Sequence, residues 1–210
     1  MGEKETGENA QKNRNKKWKM AYKARMRQIV PGLFLGNVEA SYKREMLQEN
    51  RINAIVSLTD AQWDLLVHMS DTCDFIDQMA SPVLSSLPAL PIECKHELND
   101  EQSGADSEAI SIHCDLGISR SPTIMIAYLM RKLNMQQADV LNFVQTKQKA
   151  KPSSNRTRQL QVWEDVEFHL WENEERTIPK PAYKAFMEHV AALLRQKGLT
   201  GNESLAPQSL

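Results

Sequence analysis

The stretch from Ser121 to Leu133 constrains this chain more than any other, because Ile124-Met125-Ile126-Ala127-Tyr128-Leu129-Met130 is apolar almost all round a helix. A helix without a polar face is stable in water only when protein surrounds it, so it belongs at the centre of a domain. Pro122 suits the first turn of that helix, where its missing N–H is not needed. Ahead of it, Ala109-Ile110-Ser111-Ile112 reads as a brief strand. The expected unit is a strand, a loop and a buried central helix.

Other elements group around this unit. Ile29-Val30-Pro31-Gly32-Leu33-Phe34-Leu35-Gly36 reads as two short strands about a Pro-Gly turn, and Asn37 is placed to cap a helix running to about Gln48. Arg51 to Leu58 follows as a buried strand. Between Asp64 and Met79 the residues Leu65, Leu66, Met69, Cys73, Ile76 and Met79 recur at three- and four-residue steps, which predicts an amphipathic helix packed on the sheet. Further helices are expected over about Gln136 to Lys149, Arg158 to Trp171 and Pro181 to Lys197. The last carries Ala185, Phe186, Val190, Leu193 and Leu194 on one stripe and stops at Gly198. The fold class is α/β, a central sheet flanked by helices.

At 210 residues, with 41% hydrophobic and 25% charged residues, the chain has the make-up of a soluble globular protein, and no apolar run is long enough to cross a bilayer. Cys73, Cys94 and Cys114 lack metal-like spacing and no signal peptide precedes the fold, so free thiols in the cytoplasm or nucleus are expected. Residues 1–17 read as a disordered basic arm and 199–210 as a disordered tail, with the main domain over 18–172 and a helical extension over 173–198. The run of Lys and Arg from Lys12 to Arg27 reads as a solvated arm, so neither nucleic acid nor membrane is an expected partner. Residues 81–108 read as an irregular insertion.

The chemistry is concentrated in His113-Cys114-Asp115-Leu116-Gly117-Ile118-Ser119-Arg120-Ser121. A strand ending in Cys-x5-Arg and entering a helix makes an anion cradle: the loop amides turn inward and the helix adds the positive end of its dipole. Gly117 supplies the backbone freedom for the curl. The planar fork of Arg120 suits two phosphate oxygens. In that positive field the Cys114 thiol should ionise below its ordinary pKa of about 8.5 and act as a nucleophile towards phosphorus. Ser119 and Ser121 offer hydroxyls to orient the loop or stabilise the departing thiolate, and His113 is expected to brace the loop through backbone groups. Cys73, on the inner stripe of a helix, reads instead as a small buried hydrophobe.

These residues resemble the dual-specificity branch of the cysteine-based protein tyrosine phosphatases. Pro31 to Asn37, Asp74-Phe75-Ile76-Asp77, Ala127 to Met130, Lys151-Pro152-Ser153 and Gln159-Leu160 extend the likeness over about residues 25 to 172. The resemblance implies a protein tyrosine phosphatase-like sheet, Cys114 as nucleophile, and phosphate binding by Arg120 and the backbone of Asp115, Leu116, Gly117, Ile118, Ser119 and Arg120. It implies phosphorylated proteins as substrates and no metal or other cofactor. The family takes its general acid from an Asp ahead of the Phe-Ile-Asp helix, which points to Asp60, with Asp64 the poorer choice because it begins that helix.

The chain departs from the family pattern in two places. Leu58-Thr59-Asp60 passes almost directly into the helix, leaving the chain about twenty residues and one strand short. The 81–108 segment stands where the family has a short link. Arg156 occupies a position where similar proteins place an aromatic residue. The expected function is hydrolysis of phosphotyrosine and of phosphoserine or phosphothreonine through a phosphocysteine. The alternative is a phosphoprotein-binding adaptor of the same fold, and a third reading has the C-terminal helix docking a partner.

Overall fold

The computed structural model describes residues 23–58, 64–84 and 108–199. Strands β1 (Met26–Val30) and β2 (Leu33–Asn37) form a hairpin that pairs Val30 with Leu33. The tight turn needs a left-handed residue, and Gly32 takes φ 77° there without a Cβ clash. Asn37 caps helix α1 (Val38–Ser41) by accepting the Ala40 N–H. The single helix expected to Gln48 is broken at Lys43, whose backbone (φ −91°, ψ 89°) leaves the helical region, so that α2 (Arg44–Glu49) forms separately.

Strand β3 (Ile52–Ser57) and strand β4 (Ala109–Cys114) complete a four-stranded sheet in the order β1-β2-β4-β3. Strand β4 lies parallel to both neighbours, and all six of its residues are buried. The parallel pairings require crossover connections, which the helices supply. Strand β3 is not the buried strand expected. Among the described residues it is an edge, and its burial alternates, with Asn53, Ile55 and Ser57 facing outward. An apolar run alone does not distinguish a central strand from a half-covered one.

Helix α3 (Leu66–Leu84) buries Leu66, Met69, Cys73, Ile76 and Ala80, the face its periodicity predicts. It continues into the segment read as irregular insertion, as far as Leu84. Residues 85–107, including Cys94, lie outside the described residues.

Helix α4 (Arg120–Leu133) is the buried centre. Every residue from Ser121 to Met130 is buried, and α3, β2, β4 and the two following helices pack around it. Each fully buried Ile, Leu or Met there contributes roughly 1.5–3 kcal/mol. The helix ends at Asn134, which takes the left-handed conformation (φ 50°) as its C-cap.

Helix α5 (Gln137–Lys147) is followed by α6 (Ser154–Asp165), which starts and stops earlier than periodicity suggests. Its first turn exposes Ser154, Thr157 and Arg158, so no apolar pattern marks it. At its far end Glu167 and Phe168 adopt φ 54° and 64°, reversing the chain so that Phe168 meets the Trp163 ring edge-on at 5.9 Å.

Helix α7 (Pro181–Gln196) packs back on the domain, burying Tyr183, Phe186 and Leu194. The expected stripe is off by part of a turn. Ala185 and Leu193 face solvent, whereas Tyr183 faces inward and meets Trp171 edge-on at 5.6 Å.

Candidate active site

The loop between β4 and α4 is held from outside by its carbonyl groups. The Asp115 carbonyl accepts from Val38 N (3.3 Å), that of Leu116 from Arg25 Nη2 (3.4 Å), that of Gly117 from Gln148 Nε2 (2.9 Å) and that of Ile118 from Lys151 N (2.7 Å). Ser119 follows, its carbonyl taking both the N–H (3.1 Å) and the hydroxyl (2.8 Å) of Thr123. With successive carbonyls turned outward, the amides are left to face inward, which is the polarity of an anion cradle. Gly117 allows the curl. Its φ is 69°, and a Cβ there would lie 2.6 Å from the Gly36 carbonyl oxygen.

Cys114 ends β4 inside this cradle, only 3% exposed. Burial opposes ionisation of its thiol. The Ser121 hydroxyl, donating to Sγ at 3.2 Å, and the backbone amides of Ser121, Gly117 and Ser119 outweigh it, so the pKa falls below the ordinary thiol value. Cys73 is the internal contrast. It is also a free, buried thiol, but without such donors burial pushes its pKa up to about 12. A thiolate is favoured at one cysteine and suppressed at the other.

Comparison with known proteins agrees with this geometry. Residues 33–166 match the family described as "Dual specificity phosphatase, catalytic domain". The chain belongs to the dual specificity phosphatase family. It is 31% identical over 147 residues to mouse (Mus musculus) dual specificity protein phosphatase 22, covering 70% of this chain and 77% of the relative. The fold is similar to that of the human tyrosine phosphatase-like serine/threonine/tyrosine-interacting protein, with a TM-score of 0.53 at 22% identity, over 69% of this chain and 98% of that one. It is likewise similar to human DUSP28, with a TM-score of 0.53 at 21% identity, over 67% and 93%.

Within this dual specificity phosphatase domain, the Arg120 guanidinium reaches the Asp115 carboxylate at 2.5 Å. Ser121 is wholly buried beside the thiol. His113 is buried too. Its Nδ1 meets no hydrogen-bond partner among the described residues. Burial holds the His113 pKa below its ordinary value, against the pull of the Asp115 charge and a backbone contact with Cys114. Asp60 lies outside the described residues. Asp64 begins α3, accepting the Leu66 N–H at 2.8 Å and the Tyr183 hydroxyl at 3.4 Å, and burial raises its pKa.

Several supporting residues were not singled out from the sequence as parts of the site. Asn37, expected only as a helix cap, also ties the chain ahead of β1 to the cradle: its Oδ1 accepts from Arg25 N (2.9 Å) and its Nδ2 donates to the Lys23 carbonyl (2.9 Å). The end of the basic run is thus folded into the domain. Gln148 and Lys151 grip the loop from beyond α5, and Arg156 is close enough to sense the charges of Arg120 and Cys114. These partners are far apart in sequence, and only the basic run gave any local signal. Beside the loop, a groove of about 880 Å³ is lined by Leu116, Ile118, Arg25, Arg27, Lys147 and Lys149, and among the described residues no acidic side chain lines it. Among the described residues no helix is long and apolar enough to cross a membrane.

Proposed function

We propose that this protein hydrolyses phosphotyrosine, and phosphoserine or phosphothreonine, in phosphorylated proteins through a phosphocysteine intermediate. The observation that supports this most directly is the Cys114 thiol, buried in an inward-facing amide cradle and touched by the Ser121 hydroxyl, with its pKa lowered. Membership of the dual specificity phosphatase family gives the substrate class, phosphoproteins.

The Cys114 thiolate attacks phosphorus, forming an S–P bond as the bond to the ester oxygen breaks. Arg120 and the amides of Asp115 to Arg120 hold the equatorial oxygens as charge spreads over them. The departing oxygen takes a proton from Asp60, two residues beyond Leu58, whose N–H bonds the His113 carbonyl at 2.9 Å beside the motif. Water then attacks the phosphocysteine, releasing phosphate. The Ser121 hydroxyl stabilises the thiolate as it leaves. Arg120 must exchange its contact with Asp115 for the phosphate in the first step, because both oxyanions compete for one planar fork.

The test is hydrolysis of a small aryl phosphate and of phosphopeptides by wild type, Cys114→Ser and Arg120→Lys. Turnover by wild type and its loss in both variants is expected. Hydrolysis by Cys114→Ser at the wild-type rate refutes the mechanism. A phosphopeptide bound by wild type but never turned over points instead to a phosphoprotein-binding adaptor.

A further inference from the structure

Arg156 stands in the first turn of α6, where the positive end of the helix dipole disfavours a cation. The residue is half-buried and its Nη1 is closed off from solvent. The segment that delivers it is fastened to the cradle through Lys151 N to the Ile118 carbonyl (2.7 Å) and Gln148 Nε2 to the Gly117 carbonyl (2.9 Å). One turn further along α6, the fully buried Gln159 accepts the Leu65 N–H at 2.9 Å, which fixes this helix against the start of α3.

The charges that act on Arg156 belong to the site. Burial is the largest influence, the Arg120 guanidinium acts in the same direction, and the Cys114 thiolate opposes both. The net result holds the Arg156 pKa below its ordinary value. Helix dipole, desolvation and a like charge therefore all weigh against a cation here. An arriving phosphate dianion offsets these costs, because it sets the opposite charge beside a partly buried guanidinium, where the attraction is stronger than in open water.

We propose that Arg156 is a second phosphate-binding residue, forming with Arg120 a two-guanidinium clamp that selects phosphoryl groups in their dianionic form. This rests on the phosphatase reading of the cradle. Arg156 contributes to capture of the phosphate, so its loss acts on KM more than on kcat. It also explains why a charged group is tolerated in the closing helix: the site gives up some stability for affinity.

The experiment measures binding of inorganic phosphate and of a phosphotyrosine peptide to the full chain carrying Cys114→Ser, alone and combined with Arg156→Met or Arg156→Lys, beside thermal unfolding without ligand. Arg156→Met is expected to weaken phosphate binding by about tenfold to a hundredfold, the loss of one hydrogen bond to a charged group. Arg156→Lys should restore part of it, and the melting temperature of Arg156→Met should equal or exceed that of its parent. Unchanged phosphate affinity in Arg156→Met overturns the proposal. So does weaker binding that tracks a lowered melting temperature and is not rescued by Lys, since that marks a structural role. Absence of phosphate binding by Cys114→Ser itself, with its fold intact, removes the underlying phosphatase reading and this proposal with it.

Discussion

At the scale of single residues, two thiols share one fold and differ in the donors around them. Cys114 receives one hydroxyl and three amides, whereas Cys73 lies in an apolar stripe with its pKa near 12. Iodoacetamide at mildly acidic pH should therefore label Cys114 and leave Cys73 untouched, as peptide mass mapping will show. Replacing Ser121 with Ala removes a hydrogen bond worth about 1.5–3 kcal/mol to the thiolate, so the pH midpoint of that labelling should rise by roughly one to two units. Labelling of Ser121→Ala with an unchanged midpoint would mean that the amides alone hold the thiolate. Gly117→Ala forces a side chain into a left-handed position at a cost of about 1–2 kcal/mol, before the contact with Gly36 is counted. Phosphate affinity, measured by calorimetry, should fall with it. For proton donation, Asp60→Ala should lower kcat by about 10²–10⁴ with a poor leaving group. Wild-type turnover in that variant would rule Asp60 out as the acid.

At the scale of elements, the join between α3 and α4 is a charged network rather than apolar contact alone. Asp77 accepts from the Tyr128 hydroxyl (2.9 Å), Arg131 Nη2 (3.1 Å) and Lys132 Nζ (2.7 Å). Burial raises the Asp77 pKa, but these donors outweigh it and the net shift is below the ordinary 3.8. A carboxylate with a depressed folded pKa adds stability that is complete above pH 3.8 and is lost as pH falls through the lower, folded value. Acid unfolding followed by circular dichroism should accordingly move to higher pH in Asp77→Asn. Tyr128→Phe leaves the cations in place and removes one bond to a charged group, so a loss of about 1.5–3 kcal/mol in urea unfolding is expected. The loop between β4 and α4 depends on a different set of elements, since its carbonyls are gripped from α1, the chain ahead of β1, and the segment after α5.

At the scale of the whole molecule, the catalytic unit and its C-terminal helix form one core. Tyr183 and Phe186 are each 1% exposed among residues of that core, and Lys180 Nζ donates to the Val166 carbonyl at 2.7 Å. Phe186→Ala should therefore cost about 3–5 kcal/mol in unfolding free energy. It should leave kcat on an aryl phosphate unchanged, because α7 packs mainly on α6 rather than on the loop that follows β4. A variant as stable as wild type would show that α7 is only loosely apposed. The sheet stops at β3 among the described residues, which leaves Ile55 40% exposed on an edge strand.

The sequence alone was enough to read the central unit: a strand, a Cys-x5-Arg loop with glycine at its curl, and a helix with no polar face. Each of those signals is local, since a helix apolar on every side must be buried and a left-handed turn selects glycine. The two strands about Pro31-Gly32 and the inner face of α3 were legible for the same reason. Tertiary structure decided what depends on neighbours distant in the chain. It set β3 at an edge, began α6 at Ser154, turned Tyr183 inward in place of Leu193, and brought Arg25, Gln148 and Lys151 to one loop. Those placements follow from which surfaces meet when the core closes, and no period in the sequence records them.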